Sequence, residues 1–178
     1  DLIFAFFPCI YFSAASMPQL SWGERNYRNL TDMERSDAII KRISNRERYY
    51  ILAIKLLTVA KMRGLRLIME NPWGNTYLKV FVKAPALIDN NRQLRGDYFK
   101  KPTAYWYINC QPTIGYSFQV PKIMKTIESC RKAKQAGVCS EERSLISPEY
   151  ARNFICDFII GYEQKHTMRS LFNDKDIL

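Results

Sequence analysis

One histidine, His166, occurs in 178 residues, and that scarcity argues against mechanisms that need a His base. Disulfide chemistry is equally unsupported. The five cysteines, Cys9, Cys110, Cys130, Cys139 and Cys156, are odd in number and form no close pair, which fits reduced thiols. Cys130 and Cys139 are too widely spaced for a zinc knuckle, and His166 lies well outside them, so no metal is expected. A long apolar run is also missing. Residues 2–12 are too short for a bilayer span, are interrupted by Pro8 and lack the cationic leader of a secretory signal. The expectation is an intracellular, cytoplasmic protein with no membrane partner. Acidic residues are few, 17 against 27 Lys and Arg, for a net charge of +10. Such a balance favours a polyanion, with nucleic acid first, because each cation that neutralises a phosphate releases condensed counterion.

What is present reads as one globular domain over 1–178. Apolar residues make up 47% of the chain, enough for a core, and no low-complexity tract or repeat interrupts it. The run before Pro8-Cys9 reads as a strand that places a thiol where it emerges into a loop. Because the chain opens inside this run, its upstream neighbours are expected to be missing. Residues 14–45 read as a loop and then a short helix near Asp32 to Ile43. A strong helix follows from about Asn45 to Arg63, with Tyr49, Leu52, Ala53, Leu56, Val59 and Ala60 spaced for one buried face and Gly64 as its C-cap. Leu65 to Met69 reads as a strand ending at Glu70-Asn71-Pro72. The order strand, helix, strand implies parallel strands, so Cys9 and Glu70 are expected at the same sheet edge. Further strands are expected at Ala86–Asp89 and Ala104–Asn109, and short helical stretches at Thr76–Lys83 and Pro121–Gln135. A last helix is capped by Ser147 with Pro148 in its first turn, and Ala151, Phe154, Ile155 and Phe158 form its core face.

The ordered set Asp1-Leu2-Ile3, Pro8-Cys9, Phe12-Ser13 resembles the nucleophile motif of DNA cytosine-5 methyltransferases, D-L-[IV]-x-x-x-P-P-C-x-x-F-S, with Phe7 in place of the first proline. Glu70-Asn71 resembles that family's E-N-V motif, with Pro72 for Val. Lys101-Pro102-Thr103-Ala104-Tyr105-Trp106 is similar to the Lys-x-Thr-x-x-Trp segment of the compact phage and mobile-element branch. The resemblance implies a Rossmann-like, S-adenosylmethionine-dependent methyltransferase sheet, α/β with parallel strands and flanking helices, of which this chain would supply the second half. It also implies DNA as partner, S-adenosylmethionine as cofactor, Cys9 as nucleophile on C6 of cytosine and Glu70 as the acid that holds N3. Pro8, Ser13 and Asn71 would contact the substrate. The base must leave the duplex to be attacked, and the segment after the first strand would close over it.

The chain also departs from the family. Its Q-x-R-x-R segment is absent, with Arg95, Lys101 and Thr103 as candidate substitutes. Its cofactor motif, F-x-G-x-G, would lie upstream of Asp1, so a missing N-terminal segment or a partner chain would have to supply the cofactor pocket, and no cofactor-binding residue is assigned. The target-reading region is at most the stretch 110–140. An accessory, inactive methylase-like domain that binds nucleic acid is therefore the alternative. An amino-methyltransferase, with Phe7-Pro8-Cys9-Ile10-Tyr11 standing for D-P-P-Y, is disfavoured by the absent Asp or Asn.

Overall fold

A computed structural model describes residues 1–74, 76–125 and 142–161, apart from the side chains of Ala15 and Arg143. Strand β1, Leu2–Phe6, stops ahead of Pro8, which has no N–H to extend a ladder and sits as the N-cap of a one-turn helix, α1, Cys9–Phe12. Helix α2 runs unbroken over Asp32–Arg63. A Thr31–Glu34 capping box starts it, and Gly64, at φ 63°, ends it in the left-handed conformation that glycine adopts without strain. The sequence reading divides this span in two. The physical reason for a single helix is that no Gly or Pro occurs between 32 and 63, so nothing stops propagation through the polar stretch around Ser44. Strand β2, Arg66–Pro72, follows directly. Then come α3, Leu78–Val82; β3, Leu87–Asp89; β4, Thr103–Ile108; and α4, Pro148–Ile155, which continues as a π turn over Cys156–Ile160.

Among the described residues four strands form one sheet in the order β1-β2-β4-β3. β1 and β2 are parallel, with Phe6 opposite Glu70, as a connection through a long helix demands. The expectation of parallel strands throughout is corrected at β4, which runs antiparallel to both β2 and β3. Only the connection 90–102, with a single 3-10 turn at Arg92–Leu94, separates β3 from β4, so the chain reverses without a crossover.

Both faces of the sheet are covered. On one, Ala53 and Ala60 of α2 pack with Leu67, Met69, Trp106 and Ile108. On the other, Tyr150, Phe154 and Phe158 pack on Ile68 and Tyr105. Alternate residues of β2 therefore serve opposite cores, as the pleat requires. Two expected core positions of α2, Leu52 and Val59, instead face solvent, as do Ala151 and Ile155 of α4. Helix α4 is rotated so that Tyr150 and Asn153 join Phe154 inside. Ser147 caps it by accepting from Tyr150 N at 3.0 Å, with Pro148 in the first turn as expected. The helix expected from Pro121 is absent over 121–125, where the chain makes a bend and a bridge to Phe99, and its remainder lies outside the described residues.

Candidate active site

The strand directions collect residues far apart in sequence at one edge of the sheet. Phe6 is opposite Glu70, and because β4 is reversed its first residue, Thr103, meets Pro72 at the end of β2 and Asp89 at the end of β3. The segments carrying Cys9, Glu70-Asn71, Asp89 and Lys101–Thr103 thus leave or enter the sheet side by side.

Glu70 shares its face with its register partners Phe6 and Tyr105. It is buried, and burial raises its carboxyl above the usual range; the charges of Lys101 and Arg92 pull the other way without cancelling this. The group is thus biased toward its protonated form, in which it donates a hydrogen bond. Arg92 is almost fully buried. Its guanidinium pairs with Asp97, contacts Thr103 Oγ1 at 3.5 Å and stacks 4.5 Å from the centre of the Tyr150 ring. Burial disfavours its charge, but Tyr105, Asp97, Tyr150 and Glu70 together outweigh that and hold it protonated. The Tyr105 and Tyr150 hydroxyls are bonded to each other at 2.8 Å, and burial holds both phenols protonated.

Cys9 is a free, half-buried thiol in the first turn of α1. The turn is fixed from both ends. Pro8 O accepts from Tyr11 N at 3.1 Å, while Phe12 O accepts from Tyr77 N at 2.6 Å, and Ser13 bridges to Thr76. Phe12 is buried between Phe7 and Tyr50, with ring centres 5.3 and 5.1 Å away. Asn71 completes the clamp. Its Oδ1 accepts from Thr76 Oγ1 at 3.0 Å, and Thr76 Oγ1 in turn accepts from Leu78 N at 3.1 Å. The segment after Glu70 therefore grips the segment after Cys9, so the two motifs are mechanically one unit. Asn71 Nδ2 and Arg92 Nε are buried donors with no hydrogen-bond partner among the described residues.

The three candidate substitutes for the missing segment fare differently. Lys101 lies close enough to bear on the Glu70 carboxyl, and Thr103 is buried beside Arg92 and donates to Lys101 O at 2.9 Å. Arg95 is engaged elsewhere. It pairs with Asp89 at 3.1 Å and Asp157 at 3.3 Å, and its guanidinium lies 4.8 Å from the Phe158 ring centre. Arg92, which the sequence reading missed, is the guanidinium whose charge reaches Glu70. The available signal was Asp97 five residues on, across Gly96, but an Arg in a polar stretch ordinarily reads as solvated.

Beside Phe4 and Phe6 lies an open pocket of about 200 Å³. Of its eight lining residues only Tyr105 and Tyr150 have polar side-chain atoms, and those hydroxyls are bonded to each other. Comparison with known proteins finds no matching family model, no matching curated protein and no matching solved structure. Among the described residues no helix is long and apolar enough to cross a membrane.

Proposed function

We propose that this chain is the catalytic part of a DNA cytosine-5 methyltransferase, in which Cys9 adds to C6 of a flipped cytosine while Glu70 protonates or hydrogen-bonds N3. The observation that carries the reading is the pairing of Phe6 with Glu70 across parallel strands, which brings the Pro8-Cys9 turn and a buried, raised-pKa carboxyl to one sheet edge. The sheet, covered on both faces by helices, is compatible with the second half of a methyltransferase fold. The addition needs those two groups in concert. The thiolate gives an electron pair to C6, the ring double bond moves toward N3, and the proton from Glu70 neutralises the charge that would otherwise collect there. Lys101, a partly exposed cation whose charge bears on that carboxyl, is suited to the adjacent phosphates, and the net charge of +10 favours DNA as the polyanion.

S-adenosylmethionine is the methyl donor that the reading requires, and the pocket beside Phe6 does not fit it. The apolar pocket beside Phe6 offers no carboxylate for a ribose diol and no cation for the amino-acid carboxylate. The donor site would thus be supplied by a further segment or a partner chain, and no step is assigned to residues here beyond covalent addition. This same observation favours the second reading, an accessory methylase-like domain that binds nucleic acid without turnover.

A donor-independent experiment separates the two. Reversible addition of a thiolate at C6 makes C5 basic, so that it takes a proton from solvent, and reversal then releases the original hydrogen. Deuterium should appear at C5 of cytosine in DNA incubated with the protein in D₂O, vanish with Cys9→Ala and fall steeply with Glu70→Gln. Exchange that survives Cys9→Ala, or DNA binding without any exchange, would sink the catalytic reading for this chain.

A further inference from the structure

The segment before the undescribed residues 126–141 has two different sides. Odd-numbered residues from 113 to 119 are pinned to the protein. Thr113 Oγ1 donates to Asp157 O at 2.9 Å, and Ser117 donates to the Asp157 carboxylate from both N, at 3.0 Å, and Oγ, at 2.8 Å. Gly115 lies directly against Asp157, and Gln119 N donates to Leu94 O at 2.8 Å while its side chain accepts from Asn153. Even-numbered residues point away. Ile114, Tyr116, Phe118 and Val120 are 76%, 85%, 73% and 54% exposed. A period of two is that of an extended chain, whose same-side residues recur every ~6.6 Å.

Large apolar side chains normally seek cover, and four in a row held outward by buried bonds mark an interaction surface. The local charge identifies the partner. No acidic residue occurs between Asp97 and Glu128, whereas Lys100, Lys101, Lys122 and Lys125 do. Lys125 is paired with Glu142, but Lys100 and Lys122 are exposed. Exposed aromatic rings followed four residues on by the exposed Lys122 fit a ligand that is both polyanionic and flat-faced. The ring spacing of ~6.6 Å is about twice the 3.4 Å rise of a nucleic acid strand, which leaves room for one base between Tyr116 and Phe118.

We propose that the 113–120 strip is a stacking platform for unpaired bases of single-stranded nucleic acid, with Tyr116 and Phe118 as the stacked rings and Lys122 on a phosphate. A duplex hides its base faces, so the strip discriminates in favour of single strands. The strip does not depend on Cys9 chemistry and stands whether or not the thiol is a nucleophile.

The test is fluorescence anisotropy of a labelled oligo-dT of about 12 nucleotides, within the site size of such platforms, with the full chain. Tyr116→Ala with Phe118→Ala should weaken binding by about tenfold or more, since each stacked base contributes measurably. Both side chains are exposed, so circular dichroism should be unchanged. Lys122→Gln should instead flatten the dependence of affinity on salt. Met62→Ala, exposed on α2 and outside both sites, should leave binding as it was, and oligo-dT holds no cytosine for a thiol to attack, which keeps failure of this platform distinct from failure of the catalytic reading. No binding by the unsubstituted protein would overturn the proposal. So would equal affinity after the double substitution, equal loss on a duplex of the same length, or a change in sedimentation showing that the strip joins two copies of the chain.

Discussion

Replacing Gly115 by Ala tests how the exposed strip is held. A Cβ built on Gly115 would lie 2.6 Å from Asp157 Oδ1, 2.7 Å from its Cα and 3.0 Å from its Cβ. Carbon atoms settle at roughly 3.5–4.0 Å, so the two backbones must separate by about 1 Å. Asp157 is in helical backbone and cannot retreat without breaking its turn, so the strip must move. A shift of that size takes the two Ser117 bonds to the carboxylate, 3.0 and 2.8 Å long, beyond hydrogen-bonding range. Hydrogen bonds to charged groups contribute about 1.5–3 kcal/mol each. Loosening the strip also admits water to Asp157, which returns part of that energy, and Arg95 still neutralises the carboxylate. The expected net loss is about 2–3 kcal/mol, and for a chain of this length that lowers Tm by about 4–12 °C. Urea denaturation measures the loss directly as a shift in midpoint at constant slope. Hydrogen exchange at the Ser117 amide gives a local check, since that N–H should lose protection first. A loss under about 0.5 kcal/mol with the Ser117 amide still protected would refute the close packing of strip on helix.

Two further substitutions address the sheet edge. Because the folded state raises the Glu70 carboxyl above its reference value of 4.5, its contribution to stability is full below that value and is lost as pH rises through the folded one. Glu70→Gln should therefore gain on the unsubstituted protein as pH rises above that reference value in urea melts, and a pH-independent difference would show that the carboxyl is not desolvated. Arg92→Met should cost about 3–5 kcal/mol by leaving Asp97 charged and buried, and a second change, Asp97→Asn, should restore much of it. A loss below about 1 kcal/mol for Arg92→Met alone would mean that Asp97 finds water or another donor.

Features governed by local rules were legible in the sequence. Gly64 ended a helix because only the backbone freedom of glycine suits that turn, and Ser147-Pro148 marked a helix start because capping is decided by adjacent residues. The shared edge of Cys9 and Glu70 followed from connection length alone. What escaped the sequence depends on contacts between distant segments. The reversal of β4 is decided by how the 90–102 connection packs, and no alternation within 104–109 encodes direction. The rotation of α4 is set by the polar partners of Asn153 and Tyr150, namely Arg95 O, Gln119 and Asp89, and these outweigh the apolar spacing of Ala151 and Ile155. The strip at 114–120 alternates like a buried strand. Its outward side is apolar because the inward side is committed to Asp157, which inverts the usual pattern.

The arrangement of charge explains why Glu70 stands apart from the other acids behind the sheet edge. Asp97 has Arg92, while Asp89 and Asp157 divide Arg95 between them. Three buried aspartates thus account for both guanidinium groups, and each gains direct contact that offsets desolvation. Glu70 makes no ion pair among the described residues and feels Arg92 and Lys101 only through space. For that carboxyl desolvation dominates and raises it above the usual range. The edge thus commits its aspartates to ion pairs and leaves Glu70 without one among the described residues, so on the proposed reading Glu70, not Arg95, is the group free to act on a bound heterocycle.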